Sequence, residues 1–288
     1  MPVQTESIAA MAQRNPAAIR QPAPRASILR QLLTPKGEIP GRLGLAAALT
    51  LWAAFLALWA FLTYGRLVPA IFLPTPDSVV LRGYHMVADG SLFANIWASA
   101  QVVLIGFVLS TLVAIPLGIA MGAFRIAQSA FESMINFIRY LPVTAFMPLF
   151  ILWIGIGVEQ RVALIFFGTF FSQTVMVATA IRNAPQDLLN AAYTLGASRR
   201  QVLWRVMLPA ALPGIFDTLR VTIGWAWTYV VAAELIAASS GLGYMSMKAA
   251  RGFQVDIIFL AIGMIGLLGL ATDLFFRFLS VRFAAWSR

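Results

Sequence analysis

The side chains that carry most enzymatic chemistry are scarce in this chain of 288 residues. There is no cysteine, which removes disulfides, thiolate metal sites and thiol nucleophiles together. The one histidine, His85, reads as a residue of a solvated loop, and no Gly-x-Ser-x-Gly turn stands beside it to build a nucleophilic triad. Lys36 follows Pro35 and Lys248 follows Met247, so neither completes the Gly-Lys pair of a phosphate-binding loop. The glycine-rich "SSGLGYM" (Ser239–Met245) reads instead as a tight turn that leads Met245–Phe253 back toward the rest of the chain's apolar segments. No catalytic residue and no metal site is assigned.

What remains is polarity set inside apolar text. Arg139 lies within an apolar run and is followed by Pro142 and Pro148, each of which would remove a helical hydrogen bond. A guanidinium near mid-bilayer costs a few kcal/mol on insertion scales, so it should meet a partner, a water-filled cavity or a solute path. Glu234 is the obvious partner, with Glu132 on the same helix face as a second. Two readings stay open: a structural ion pair, or an Arg139 whose planar fork attracts a carboxylate, sulfonate or nitrate. Thr169, Ser172, Gln173 and Thr174, with Trp225, Trp227 and Thr228, are further candidates for a pathway lining, against ordinary helix packing.

The elements that must position these groups follow from composition. Hydrophobic residues make up 60% and charged residues 11% of the chain, with a mean hydropathy of +0.82, far outside soluble usage. Apolar runs long enough to cross a hydrocarbon core about 30 Å thick lie at 43–63, 97–122, 130–154, 161–182, 213–236 and 256–277, and their length excludes a barrel. Cations gather in the segments that share a side with the N-terminus, which predicts both termini in the cytoplasm. The net charge of +10 is therefore topological and implies no nucleic-acid partner. Residues 1–42 read as a cytoplasmic arm, mostly disordered, with a short amphipathic piece at Arg25–Leu33; 43–282 form the membrane domain and 283–288 a cytoplasmic tail.

One stretch breaks the apolar text without being slack. In "NAAYTLGASRRQVLWRVMLP" (Asn190–Pro209), Asn183 and Gln186 upstream have the spacing of a capping pair, and Pro185 and Asp187 suit a first turn. Leu188, Ala192 and Leu195 should share one face of a short helix that Gly196 closes in a left-handed conformation. Ser198 and Gln201 form a second capping box, with Val202, Leu203, Val206 and Met207 on one side, Arg199, Arg200 and Arg205 on another, and Leu208-Pro209 as the stop. Two short amphipathic helices at 184–208, hinged at a glycine, make a knuckle shaped to be gripped by something soluble.

The spacing of Ala191-Ala192, Gly196, Val206 and Leu208-Pro209 resembles the cytoplasmic signature loop of ABC importer permeases. "FIRYLPVTAFMPLFILWIGIG" (Phe137–Gly157) and "VVAAELIAASSGLGYM" (Val230–Met245) resemble the nitrate, sulfonate and taurine importer branch of that family, and the likeness covers roughly 70–280. The resemblance implies an all-α membrane protein of about six transmembrane helices with the type I importer permease fold, in a bacterial inner membrane. It implies that Asn190, Ala191, Ala192, Gly196, Arg199, Arg200 and Pro209 dock an ATPase; the solute path, read from the polar and helix-breaking residues that collect in spans three to five, draws on Arg139, Pro142, Pro148, Gln173, Trp227 and Glu234. Two ATPase subunits holding ATP and Mg, a second permease copy as a homodimer, and an external binding protein are the implied partners, with no cofactor on this chain. The family's usual glutamate before the two alanines is Asn190 here, so a charge-assisted contact from that position is absent. An ATPase-independent secondary transporter or channel is the alternative.

Overall fold

A computed structural model describes residues 41–283; the expected arm, its Arg25–Leu33 helix and nearly all of the tail lie outside the described residues. The chain divides into two units, 1–61 and 62–288. The described part of the first is helix α1 (Gly41–Tyr64), which runs three residues into the second. From Gly41 to Leu58 its side chains are exposed, including Leu49, Trp52 and Phe55. A helix apolar on all sides and exposed over this length is one for which lipid is the solvent.

The second unit is helical throughout its regular structure among the described residues. After α2 (Pro76–Ala88) come α3 (Ser91–Ala123), α4 (Arg125–Arg139), α5 (Met147–Ile154), α6 (Val158–Arg182), α7 (Gln186–Thr194), α8 (Arg199–Val202), α9 (Leu208–Ala237), α10 (Leu242–Arg251) and α11 (Val255–Phe283). His85 therefore sits on helix α2, exposed, and not in a loop. The expected spans match α1, α3, α6, α9 and α11, each extended by a few residues at one or both ends.

Small residues every fourth position set the central pair. Gly106, Ser110, Ala114, Gly118 and Gly122 form a stripe along α3 on which α6 lies. A Cβ on Gly106 would stand 2.8 Å from that of Ile165, one on Gly118 2.7 Å from that of Val177, and one on Gly122 2.6 Å from that of Ile181. Such close approach is the usual route to helix association in lipid, where burying apolar surface gains nothing over the acyl chains. Both helices advance in step through these contacts, so α3 and α6 run parallel.

That direction resolves the third expected span. α4 and the segment after it meet at an 86° bend, which by shape alone is either a broken crossing or a re-entrant loop. Because α6 starts at the same end as α3, residues 124–157 must return across the full thickness, and the bent pair is one broken span. The expectation of a continuous helix over 130–154 fails for a local reason. Pro142 disfavours helical geometry at Leu141, α4 stops at Arg139, and Val143–Phe146 form a 3₁₀ turn. Pro148 occupies the first turn of α5, where its missing N–H is no loss, so neither proline interrupts a helix from within. α9 runs antiparallel to α6, as Gly168 against Tyr229 and Gly214 against Ala180 require.

Candidate functional site

Two polar assemblies occupy opposite ends of the α3–α6–α9 core. At the end where α6 stops lies the knuckle. α7 begins at Gln186 with Pro185 before it; Asn183 caps the C-terminus of α6 instead, so the expected Asn183–Gln186 capping pair does not form. The close of α7 follows expectation. Gly196 has φ +82°, its N–H donates to Tyr193 O at 2.9 Å, and Ala197 N–H donates to Ala192 O at 3.0 Å, which satisfies the last carbonyls by a Schellman turn. Ser198 and Gln201 then exchange side-chain and backbone hydrogen bonds at 3.4 and 2.8 Å, the expected capping box.

Leu208-Pro209 does not stop the chain. Leu203–Met207 widen into a π turn and α9 continues directly from it, with Pro209 in its first turn. A wider turn removes the clash between a proline ring and the carbonyl four residues back, so the helix passes through. The apolar faces also differ from expectation. Ala184, Leu189 and Val202 are buried, with Ala192, Ala197 and Met207 against them. Leu188 and Leu195 point away, 50% and 87% exposed, beside Tyr193 and Trp204 at 48% and 54%. Ala191, Asn190, Arg199, Arg200 and Arg205 share that exposure. Asn190 accepts from the Gln186 amide at 3.2 Å, and no ion pair engages Arg199, Arg200 or Arg205 among the described residues.

At the opposite end one carboxylate ties four helices together. Glu234 of α9 is 1% exposed. It accepts from Ser99 Oγ of α3 at 2.7 Å and from Gly243 N of α10 at 2.8 Å, and lies 3.9 Å from the Arg161 guanidinium of α6. Arg161, itself 5% exposed, donates to the Gly157 and Ser240 carbonyls. Leu242 N donates to Ser99 Oγ and Gly241 N to Asn95 Oδ1. The positive end of α10 thus points at the acid. "SSGLGYM" is the expected turn: the chain bends at Ser239–Gly241 and enters this helix, whose Leu242 and Met245 pack back against Ala261 of α11. Its glycines are required: Gly241 has φ +117°, and a Cβ there would strike the Glu234 carboxylate.

Arg139 accordingly does not pair with Glu234, nor with Glu132, which lies 3.8 Å from Arg182. The Arg139 guanidinium stands at the break of the bent span, stacked 4.7 Å from the Tyr140 ring and donating to its hydroxyl at 2.8 Å, with no carboxylate partner among the described residues. Gln173 is fully buried between α3 and α6, where it accepts from Ser110 Oγ and donates to Thr111 Oγ1. Trp227 is 4% exposed, and its ring N–H donates to Thr272 of α11. Both fill packed seams. The open face of α9 is instead the stripe Asp217, Val221, Gly224, Trp225 and Thr228. Beside it Arg220 makes a two-pronged pair with Asp273 of α11 at 3.0 and 3.1 Å. The expectation for span five named Trp225 and Thr228 but not Asp217, Arg220 or Asp273, whose charges inside apolar runs were the available signal.

Residues 114–284 match the model of the family described as binding-protein-dependent transport system inner membrane component. The chain is 37% identical to a probable ABC transporter permease protein of Brucella melitensis over 84% of this chain and 98% of that one. It is 34% identical to the taurine transport system permease protein of Escherichia coli over 84% and 87% of the two, and 33% identical to a putative aliphatic sulfonates transport permease protein of Bacillus subtilis over 86% and 90%. Among solved structures it resembles the MetNI methionine ABC transporter in inward-facing conformations, with a TM-score of 0.56 and 20% identity over 66% of this chain and 96% of that one.

Proposed function

This chain belongs to the binding-protein-dependent inner membrane components of ABC transporters, in the taurine, sulfonate and nitrate branch, and from that premise we propose how it works and what it carries. It is a multi-pass membrane subunit of a transporter and not a catalytic enzyme. In our reading it imports a small anionic solute, of the nitrate, sulfonate, taurine or bicarbonate kind. Two copies form the pathway as a homodimer, two ATPase subunits carry ATP and Mg, and an external binding protein supplies the solute.

The observation that carries this reading is the knuckle. A surface with Leu195, Leu188, Tyr193 and Trp204 exposed beside Arg199, Arg200 and Arg205 suits an apolar groove with an acidic rim. It belongs at the cytoplasmic end, where Arg125, Arg182, Arg277 and Arg282 also gather, and both termini then lie in the cytoplasm. Because α9 grows out of the knuckle without a break, a displacement of the docked surface moves α9 as a rod. That supports alternating access driven from the ATPase, with the open stripe of α9 facing the second copy and the path between them. Arg139, without a carboxylate partner among the described residues, is given the role of drawing an oxyanion to the break in span three, beside Pro142 and Pro148.

Liposomes holding this chain alone should take up no taurine, sulfonate or nitrate. Uptake should appear when the ATPase subunits, Mg-ATP and the solute-loaded binding protein are added. Uptake by the chain alone would establish the secondary transporter or channel in its place.

A further inference from the structure

One buried side chain takes no part in the assemblies described above. Gln160, in the first turn of α6, is fully buried, and neither its amide oxygen nor its amide nitrogen has a hydrogen-bond partner among the described residues. Its neighbour Arg161 turns to the Glu234 knot, whereas Gln160 belongs to the face of α6 that carries Leu164 and Phe167. The segment that covers this face is α5 and the turn before it. Leu164 packs with Met147, Phe150 and Ala233, and the Phe167 ring centroid lies 4.6 Å from that of Phe146 and 5.7 Å from that of Phe150. α5 and α6 run antiparallel through these contacts, so the same register carried one turn outward brings the end of α5 over Gln160.

α5 is held by apolar contact alone. Its sequence, MPLFILWI, has no side chain that bonds to another element among the described residues. Both of its ends are breaks in the helix. The 3₁₀ turn and the 86° bend precede it, and Gly155–Gly157 follow it, with Gly155 at φ +94°, a conformation that favours glycine. α3, α6, α9 and α10, by contrast, are joined by the hydrogen bonds and the ion pair of the Glu234 knot. A methionine would fill the place of Gln160 and strand nothing. The amide therefore penalises the closed arrangement of α5 and no other part of the fold.

We propose that α5 is a hinged lid and that Gln160 keeps it from locking shut. When α5 lifts, the amide regains its hydrogen bonds to water, and the lifted arrangement gains by that difference. The inference rests on the importer reading above, in which this end of the core faces outside and the lid bounds the outer part of the path. Against an apolar side chain of the same shape, the amide should shift the balance toward the lifted lid by about ten- to hundredfold.

The test uses the permease–ATPase complex in nanodiscs. The native chain has no cysteine, so Ala233→Cys puts a single thiol under α5, where Ala233 is fully buried with Met147 and Phe150. A polar thiol reagent should modify it slowly. Gln160→Met added to Ala233→Cys should slow that modification about ten- to hundredfold, and in the native chain Gln160→Met should raise the melting temperature. A cysteine at the exposed Ser239 should label at one rate in both backgrounds. A melt unchanged or lowered by Gln160→Met would show that the closed state satisfies the amide, through a resident water, and would overturn the proposal. Modification of Ala233→Cys at the same rate in both backgrounds, or in neither, would overturn it too, because α5 then does not lift against the amide. Should Ala233→Cys not assemble, the sign of the Gln160→Met melt decides. Absence of ATP-driven uptake by the native complex in liposomes, with the solute-loaded binding protein present, would sink the importer reading by itself and leave the lid to the labelling and the melt.

Discussion

Leu195 separates docking from folding more cleanly than any other residue of the knuckle. At 87% exposure it contributes almost nothing to the packing of this chain, and its substitution should change stability by no more than about 0.5 kcal/mol. If the knuckle sits in an ATPase groove, that side chain is buried on assembly, and full burial of a leucine stabilises by about 1.5–3 kcal/mol. Leu195→Gln keeps the length and adds no charge to interact with the α7 dipole, so the difference reports apolar burial with the desolvation of one amide. At 1.4 kcal/mol per tenfold, affinity for the ATPase should fall about ten- to hundredfold. The measurement is a titration of nanodisc-embedded permease with fluorescent ATPase subunit, beside a thermal melt of the permease alone. Unchanged affinity with an unchanged melt would refute the docking surface as drawn. Lost affinity with a collapsed melt would show that Leu195 supports the fold, against its exposure.

Three further outcomes follow from the same geometry. Gly118→Val should lower the folded yield and the melting temperature, because the added Cβ would stand 2.7 Å from Val177 Cβ and 2.8 Å from the Thr174 carbonyl; overpacking of this kind costs about 1–3 kcal/mol, whereas Gly224→Ala, with nothing within 4 Å, should melt like wild type. Glu234→Gln should destabilise by about 3–5 kcal/mol by stranding the buried Arg161, and Arg161→Gln added to it should recover much of that loss; equal melts for the single and double variants would remove the ion pair from the account. Cysteines placed at the exposed Ser239 and Ser198 should react with an impermeant thiol reagent from outside only at Ser239, and the reverse labelling would invert the orientation.

The parts of this molecule legible in the sequence are those fixed by local chemistry. Gly196 and the Ser198–Gln201 box declare a turn and a helix start because each satisfies its own backbone groups within a few residues. Apolar length locates the spans for the same reason: a helix in lipid must close its hydrogen bonds on itself. Side-chain partners are less legible because they depend on which helices run together. Arg139 and Glu234 suggest a pair as charges set deep in apolar runs, yet the chain turns through 86° between α4 and the segment after it, and the acid is met by Arg161 from the start of α6. Leu188 and Leu195 suggest an inward face by their spacing, but periodicity identifies an apolar face without saying whether the chain itself or another protein covers it.

The actual partner of Glu234 follows from how closely two helices approach. The small residues at Gly106, Ser110, Ala114, Gly118 and Gly122 recur every fourth position along the chain, and they let α3 and α6 come together until only glycine fits at 106, 118 and 122. With that pair parallel, Ser99 and Arg161 fall at one end and the exit from α6 into the knuckle at the other. Glu234, near the far end of the antiparallel α9, must then lie beside Ser99 and Arg161, because α9 is continuous from the knuckle through Pro209 to Ala237. The acid, its cation and the knuckle are thus placed relative to one another by two helices and one stripe of small residues. In the proposed cycle the same geometry makes the Glu234 knot the fixed end of the rod whose other end the ATPase moves.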